Sequence, residues 1–329
     1  MTSITGSGPS TSVVIPCYNA GDFIARSIRS VLDQHSANIE VVVIDDGSTD
    51  NSLDVVKSFG DRVRWATGPN CGACAARNRG LELSSGDFIM FLDADDYIEP
   101  ESLSEWAARG SDADLVLCPF AIEKGGKRTF LGRAQGRDAG SILCDWLKGL
   151  FTPSCSVLWR RSFLCGIDGW NPKALRNQDA EVTIRALLKG ARVTVASSGL
   201  GVYVQHDRPG RVSKGTSLEV VSSWLSCFEE LWTLAQAQSI EGLRQCFATQ
   251  FYLIACYAFA SGVDEVGQRA LRRARDLGLN GHPGSFSHRI LVRILGLKNK
   301  SRFARVVRSP LSANAMAAWR YVFPTGRGA

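Results

Sequence analysis

The 329-residue sequence lacks any apolar run long enough to cross a bilayer. Its longest such run, Phe251 to Ala260, has ten residues, whereas a transmembrane helix needs about 20. The first ten residues are polar and have neither the basic region nor the apolar stretch of a signal peptide. We therefore expect a cytoplasmic protein that does not cross a membrane by itself.

The ten cysteines lack the regular spacing of a disulfide framework. Cys71 and Cys74 form the one close pair, and no second pair or nearby histidine completes a zinc site. We interpret most of the cysteines as small buried apolar residues in a reducing compartment. A structural metal or redox role for Cys71 and Cys74 is the alternative.

Acidic residues are absent from His282 to Ala329, a stretch that contains nine Lys and Arg residues. Without those nine cations, the net charge of +6 becomes −3 for the first 281 residues. Apolar residues alternate with the cations, namely Ile290, Leu291, Ile294, Leu295, Phe303, Val306 and Val307. This pattern favours a helix lying peripherally on an anionic membrane, here the inner face of the cell membrane. The alternative is a packed helix with a solvated basic face. Nucleic-acid binding is not expected, because no motif accompanies the charge.

Strand and helix signals alternate along the first hundred residues. Short apolar runs near Ser12, Glu40, Val63 and Phe88 indicate strands buried on both faces, with helical apolar spacing between them. This alternation predicts an α/β fold, a mostly parallel sheet flanked by helices. From Ser217 onward the apolar spacing is helical throughout, which predicts a C-terminal helical subdomain.

Two aspartates, Asp93 and Asp95, directly follow the buried run from Phe88 to Leu92. Carboxylates at the end of such a strand point into the crevice where α/β sheets bind ligands. They repel each other unless a cation binds there, and a hard divalent ion suits a diphosphate, whose oxygens complete its coordination shell. The alternative is helix capping, which Asp96 could provide ahead of Tyr97.

A second acidic cluster, Asp45-Asp46-Gly47-Ser48, follows the strand that ends at Ile44. A carboxylate at this depth can accept a hydrogen bond from a nucleotide base or a ribose hydroxyl. The alternative is an ordinary turn in which Ser48 or Asp50 caps the next helix. The cluster can serve both roles, with Asp46 binding the nucleotide and Ser48 or Asp50 capping the helix.

Four motifs occur in order at the places just described. They are Val13-Val14-Ile15-Pro16-Cys17-Tyr18-Asn19, Ile44-Asp45-Asp46-Gly47-Ser48-Thr49-Asp50, Asn70-x-Gly72 with Ala76-Arg77-Asn78-x-Gly80, and Gly86-Asp87-Phe88-Ile89-x-Phe91-Leu92-Asp93-Ala94-Asp95-Asp96. The set resembles the nucleotide-binding half of the family 2 glycosyltransferases, which have the Rossmann-like GT-A fold. The resemblance covers about residues 11 to 100 and weakens toward 213.

The resemblance implies a donor site and a Mn²⁺ or Mg²⁺ site. Pro16, Tyr18 and Asn19 would line the nucleotide, and Asp46 would meet the base. Arg77 and Asn78 would shape the donor pocket, although Arg77 could equally be structural. Asp93 would lie near the ribose and the metal, and Asp95 would bind the metal directly.

The family's catalytic base usually lies in a Glu-Asp pair at the start of a helix. The corresponding segment here is Asn177-Gln178-Asp179-Ala180-Glu181. Asp179 is therefore the expected base, while Gln178 departs from the family pattern and puts the acceptor contacts of that neighbour in doubt. Glu181 is a second candidate, and its alternative role is a first-turn carboxylate favoured by the helix dipole.

The segment from Tyr203 to Ser213 resembles the family's closing loop, which often carries a metal- or diphosphate-binding histidine. His206 is the candidate here, because a neutral imidazole can ligate such an ion. Arg208 or Arg211 could pair with phosphate oxygens through a planar guanidinium. The alternative for His206 is an ordinary surface or hydrogen-bonded histidine.

The patterns and the resemblance together predict an inverting, metal-dependent glycosyltransferase, and the resemblance implies a role in bacterial surface polysaccharide synthesis. A nucleotide-sugar donor, most simply a UDP-sugar, and a glycan or lipid-linked acceptor would be its partners. The alternatives are an inactive nucleotide- or glycan-binding protein and a sugar nucleotidyltransferase. The expected organisation is a flexible N-terminus (1–10), a catalytic domain (11–215) with nucleotide-binding (11–100) and acceptor (101–215) halves, a helical subdomain (216–280) and a basic amphipathic tail (281–329).

Overall fold

A computed structural model of the chain describes residues 8–34, 38–131, 138–150, 152–206, 215–283 and 285–308. The chain forms two compact units. The first comprises Met1–Leu143 and Phe151–Pro209, and the second comprises Cys144–Leu150 and Gly210–Ala329. The first unit ends at residue 209, and the catalytic domain was expected to end at 215. The short segment 144–150 belongs to the second unit, although it lies within the expected acceptor half (101–215).

The first unit contains the strands. They are β1 (Thr11–Cys17), β2 (Ile39–Asp45), β3 (Arg64–Thr67), β4 (Phe88–Phe91), β5 (Tyr97–Ile98), β6 (Leu115–Leu117), β7 (Phe120–Lys124), β8 (Lys127–Leu131), β9 (Val157–Arg160), β10 (Val193–Val195) and β11 (Gly201–Gln205). Its helices are α1 (Ile24–Leu32), α2 (Ser52–Lys57), α3 (Ala73–Leu83), α4 (Ser102–Arg109), α6 (Arg161–Gly166) and α7 (Gln178–Leu188), and α5 (Ala139–Leu147) runs across the boundary between the two units.

A seven-stranded sheet forms the centre of the first unit, in the order β10-β6-β9-β4-β1-β2-β3. Its strands are parallel except β9, which is antiparallel to both β4 and β6. The central strands are apolar and buried along their length, as the continuous apolar runs predicted. The predicted α/β class with a mostly parallel sheet is therefore confirmed.

The motifs that follow β1, β2 and β4 meet at one edge of this sheet. β1 lies between β4 and β2, and Cys17 at the end of β1 pairs with Asp45 at the end of β2. On the other side, Val14 pairs with Phe91, so Asp93 follows β4 at about the level where β1 ends. The connection changes direction between β1 and β4, and ligands bind at such a switch point in open α/β sheets.

A smaller sheet with the order β5-β11-β7-β8 lies in the same unit. Its first strand, Tyr97–Ile98, occupies the place where the sequence suggested that Asp96 would cap a helix. That alternative is wrong, because a strand follows Asp96 and the next helix begins only at Ser102. Asp96 instead accepts a hydrogen bond from the backbone N–H of Val204 in β11 (2.8 Å), next to the pairing of β5 with β11.

The second unit is helical, which confirms the predicted change after Ser217. It contains α8 (Leu218–Ala235), α9 (Leu243–Ser261), α10 (Asp264–Asp276) and α11 (Phe286–Arg308), and α9 packs against the other three. Ser217 caps α8 through a hydrogen bond from the backbone N–H of Val220. Within the described residues, no helix has the length and apolar character needed to span a membrane.

Eight of the ten cysteines are free thiols, and five of these are buried, as the sequence analysis expected for most of them. Cys144 and Cys246 instead form a disulfide with their Cα atoms 5.5 Å apart. This bond joins the 144–150 segment to α9 within the second unit. The two residues are 102 positions apart in the sequence, so their spacing carried no signal of the pairing.

Gly80 on α3 allows this helix to approach β1 closely, because a Cβ atom there would collide with the buried side chain of Val14. We expect Gly80→Ala to lower the free energy of unfolding by about 1–3 kcal/mol through overpacking. Chemical denaturation measures this change. Gly166→Ala is the matched control, because a Cβ atom on α6 meets open space. Equal stability of the two variants would contradict this account of the packing.

Candidate active site

Three aspartates gather where β4 ends. One carboxylate oxygen each from Asp93, Asp95 and Asp96 lies within 4.8 Å of the others. Asp96 is fully buried and holds the backbone of Val204. The side chains of Asp93 and Asp95 are 34% and 23% exposed, so these two carboxylates remain open to a ligand.

His206, just past the end of β11, reaches the same cluster. Its Nε2 atom lies 2.5 Å from Oδ2 of Asp95. The ring of Phe23, the residue before α1, stacks on the imidazole with centroids 5.0 Å apart and planes 12° apart. The fold thus brings together residues that are more than a hundred positions apart in the sequence.

The residues around Asp95 fit a divalent cation. Two partly exposed carboxylates and one imidazole nitrogen form a small set of hard and intermediate ligands, which suits Mn²⁺ or Mg²⁺. Such a set leaves coordination positions for oxygens from a ligand. The carboxylates also repel one another, and a cation relieves that repulsion.

Arg77 on α3 is a buried cation beside this cluster, with only 4% of its surface exposed. Its Nη2 donates to Oδ1 of Asp93 (2.7 Å), and its Nη1 donates to Oε1 of Gln178 (2.9 Å). The guanidinium lies over the ring of Trp170, 4.4 Å from the centroid. A buried charge needs such partners, so Arg77 joins the acidic cluster to the start of α7.

Asp179 lies in the first turn of α7, directly after Gln178. Among the described residues, its buried Oδ1 atom has no hydrogen-bond partner. Burial raises the pKa of Asp179 to about 6, Arg77 opposes this shift, and the Asp93 carboxylate adds to it. A carboxylate with this pKa can accept a proton near neutral pH.

Glu181, the second candidate base, is held in a different interaction. It is 3% exposed, and both of its carboxylate oxygens accept hydrogen bonds from Arg185, at 2.8 and 3.1 Å. Arg185 also donates to the backbone oxygens of Ile167 and Gly169. Glu181 therefore stabilises the loop before α7, and this geometry favours Asp179 as the base.

The residues expected to line a nucleotide lie at the ends of β1 and β2. The Tyr18 side chain is 51% exposed, which leaves its ring available for stacking. Asn19 has a positive φ of 48° and accepts a hydrogen bond from the backbone N–H of Thr49 (2.8 Å), so it joins the two loops. Pro16 pairs with Ile44 in the sheet.

Asp46 and Asn78 both hold backbone segments. The two carboxylate oxygens of Asp46 accept hydrogen bonds from the backbone N–H groups of Cys71 and Gly72, at 2.8 and 2.9 Å. Asn78 donates to the carbonyl of Trp170 and accepts from its N–H, both at 2.8 Å. Asn78 thus shapes the site through Trp170, and Asp46 orients the turn before α3. Contact of either side chain with a donor stays a prediction.

Two predicted phosphate-binding residues, Arg208 and Arg211, lie outside the described residues. Cys71 and Cys74 are free thiols, one exposed and one buried, and neither belongs to the acidic cluster. The described residues therefore offer no support for a metal or redox role of this pair.

Sequence reasoning missed Phe23 and Trp170. Both are aromatic residues that support residues of the site, Phe23 by stacking on His206 and Trp170 by covering Arg77. No signal distinguished either residue, because an aromatic side chain beside a polar motif is most often part of the core.

Comparison with known proteins finds similarity to glycosyltransferases. The family model described as Glycosyl transferase family 2 matches residues 12–166. An Escherichia coli protein named Uncharacterized glycosyltransferase YibD is 40% identical over 113 residues, which are 32% of this chain and 33% of that protein. Chondroitin synthase of Pasteurella multocida is 41% identical over 98 residues, 29% of this chain and 10% of the synthase. The chain thus matches a third or less of the length of these relatives.

Solved structures share the fold. The crystal structure of Staphylococcus aureus TarS, residues 1–349, in complex with UDP-GlcNAc has a TM-score of 0.64 and 18% identity, and the alignment covers 91% of each chain. The same TarS segment in complex with UDP has a TM-score of 0.58 and covers 92% of this chain and 93% of TarS. At this identity the likeness establishes the GT-A fold.

We expect Asp95→Asn and Phe23→Ala each to weaken binding of Mn²⁺, measured by electron paramagnetic resonance in the presence of a nucleoside diphosphate. The first removes a charged ligand and the second removes the support of His206, and losses of this kind are about 10–100-fold. Asp112→Asn is the control, because Asp112 is an exposed carboxylate outside the cluster. Unchanged Mn²⁺ affinity in Asp95→Asn would refute this metal site.

Proposed function

We propose that this chain, which belongs to glycosyl transferase family 2, moves a sugar from a nucleotide diphosphate to an acceptor hydroxyl with inversion at the anomeric carbon. The observation that carries the proposal is the position of Asp179. It is a carboxylate with a raised pKa, and Arg77 joins the start of its helix to the aspartates that follow β4. A base and an acidic cluster in one crevice are the parts that such a transfer needs.

The donor would bind at the switch point of the sheet. The exposed ring of Tyr18 is available to stack on a base, and Pro16 and Asn19 lie beside it. A UDP-sugar is the donor that we propose, supported by the TarS complexes with UDP-GlcNAc and UDP. Asp93, Asp95 and His206 would hold Mn²⁺ or Mg²⁺, which when bound supplies positive charge to the diphosphate that leaves. Arg208 and Arg211 are the proposed phosphate partners from the following loop.

Asp179 would accept the proton of the acceptor hydroxyl. With its pKa at about 6, the carboxylate is mostly ionised at neutral pH, yet it is basic enough to take a proton as the oxygen attacks. Arg77 steadies the ionised form of Asp179 and holds Asp93 in place. A single base acting on the acceptor leads to direct displacement, and direct displacement inverts the anomeric carbon.

The acceptor would be a glycan or a lipid-linked sugar in bacterial surface polysaccharide synthesis. The support is the set of relatives that includes chondroitin synthase and hyaluronan synthase of Pasteurella multocida, each matched over 98 residues. Gln178 occupies the place of the family's glutamate and binds Arg77 and the carbonyl of Ala174 (2.9 Å). In this chain the neighbour of the base therefore has a structural contact, which leaves Asp179 as the acidic group for the acceptor.

We predict that Asp179→Asn lowers the transfer rate at least about 100-fold, the usual contribution of a general base. It should leave the affinity for UDP with Mn²⁺ within about twofold, because Asp179 serves the acceptor. Asp95→Asn should instead weaken UDP binding that depends on Mn²⁺. Titration calorimetry together with a transfer assay across UDP-sugars measures both effects. Equal loss of UDP affinity in the two variants would reject these roles.

The pH dependence of transfer offers an independent test. The folded pKa of Asp179 is raised to about 6, so the base becomes protonated as the pH falls through that value. We expect the transfer rate at saturating donor and Mn²⁺ to fall about tenfold between pH 7 and pH 5. The residual rate of Asp179→Asn should lack this step. A wild-type profile that is flat down to pH 5 would count against Asp179 as the base.

A further inference from the structure

We propose that the first half of α11 docks on the surface of an anionic lipid bilayer. The docking surface consists of Ile290, Leu291, Ile294 and Leu295 with the neighbouring Arg289 and Arg293, and we call these six residues the α11 patch. This inference goes beyond sugar transfer and does not rest on it. It concerns a surface of the second unit, whereas the proposed chemistry belongs to the first.

The described part of the C-terminal basic region, α11, is not one continuous helix. Gly296 has φ 71° and ψ 156°, which breaks α11 into two segments. Val292 and Leu297 are buried, at 3% and 6% exposure, and anchor the helix on either side of the break. Among the α11 side chains that the structure describes, the exposed large apolar ones other than Phe303 lie in the first segment, and Ile294 is 71% exposed.

The α11 patch forms one face of the first segment. Residues 290 and 294 make one row along the helix and residues 291 and 295 make the next, because positions four apart lie above each other. The four side chains cover about 140° of the circumference, at about 100° per residue. Arg289 and Arg293 form the adjoining row. An apolar stripe bordered by arginines is the arrangement of a helix that lies in the plane of a membrane interface.

The charges of α11 divide between the helical bundle and the solvent. Lys298 and Arg302 both bind Asp264 of α10, at 2.5 and 2.8 Å, and Lys300 Nζ lies 2.8 Å from Nδ1 of His288. Arg289 and Arg293 are exposed, and neither forms an ion pair within the part of the chain that the structure describes. The α11 patch therefore carries two positive charges, and the sequence has no acidic residue from 282 to 329. Anionic headgroups attract such cations, and each cation near the surface strengthens binding about five- to sixfold.

A second copy of the chain fits the α11 patch less well. A symmetric contact would bring Arg289 and Arg293 of one copy against those of the other, and like charges at an interface oppose association. Four partly exposed side chains also fall short of the roughly 800 Å² per partner that a stable protein interface buries. A fluid lipid surface has neither limitation.

Flotation of the full chain with vesicles tests the proposal. Phosphatidylcholine vesicles containing phosphatidylglycerol should bind the protein at least tenfold more strongly than pure phosphatidylcholine vesicles, and added salt should weaken the binding. The Ile290→Ser, Ile294→Ser double variant should lose at least tenfold in binding. Its control is Leu218→Ser, which removes a 61% exposed leucine from α8 and should change nothing.

Two double variants with the same change in charge test the contribution of the arginines. Arg289→Gln with Arg293→Gln should weaken binding about thirtyfold, which is the effect of two cations at the magnitude above. Arg272→Gln with Arg275→Gln removes the same charge from exposed positions of α10 and should have a much smaller effect. Unchanged melting temperatures would show that the variants are folded.

Three outcomes would overturn the proposal. The first is no binding of the wild-type chain to anionic vesicles. The second is equal binding by the patch variants and their controls. The third is a dimer, seen by light scattering, that the Ile290 and Ile294 changes dissociate, since this would assign the patch to a second copy. None of these readouts depends on donor turnover, so failure here leaves the proposed sugar transfer untouched.

Discussion

The buried guanidinium of Arg77 is the interaction on which the site depends. It binds Asp93 after β4, the amide of Gln178 at the start of α7 and the face of Trp170. Removal of the Asp93 carboxylate would leave the buried guanidinium without its ion-pair partner, which is costly. A single side chain of α3 therefore keeps the acidic cluster and the start of the Asp179 helix in one arrangement.

The same contacts explain why Asp179 can act as a base in this chain. Burial raises its pKa and Arg77 limits the rise, so that it stays near 6. A glutamate at position 178 would add a further negative charge around Arg77, whereas the glutamine accepts the Arg77 N–H without that charge. The departure from the family pattern at this position is therefore compatible with an ionised Asp179.

Much of the fold followed from the sequence, because buried parallel strands are apolar runs and the polar residues that end them must lie at one edge of the sheet. The buried strands near Ser12, Glu40 and Phe88 and the helical change after Ser217 are confirmed. A strand is also present near Val63, but this edge strand, β3, is largely exposed and was wrongly expected to be buried on both faces. The capping role suggested for Asp96 was wrong. A carboxylate can precede a strand as well as a helix, and the neighbouring residues did not distinguish the two.

The sequence by itself determined the order of elements, the acidic cluster after β4 and the excess of basic residues near the C-terminus, since each is a property of neighbouring residues. Only the tertiary structure decided which distant groups meet: Phe23 with His206, Arg77 with Gln178, and Cys144 with Cys246. It also decided that Gly296 divides α11 and that Asp264 binds two of its cations. Packing sets such contacts, and the spacing of residues along a chain does not record them.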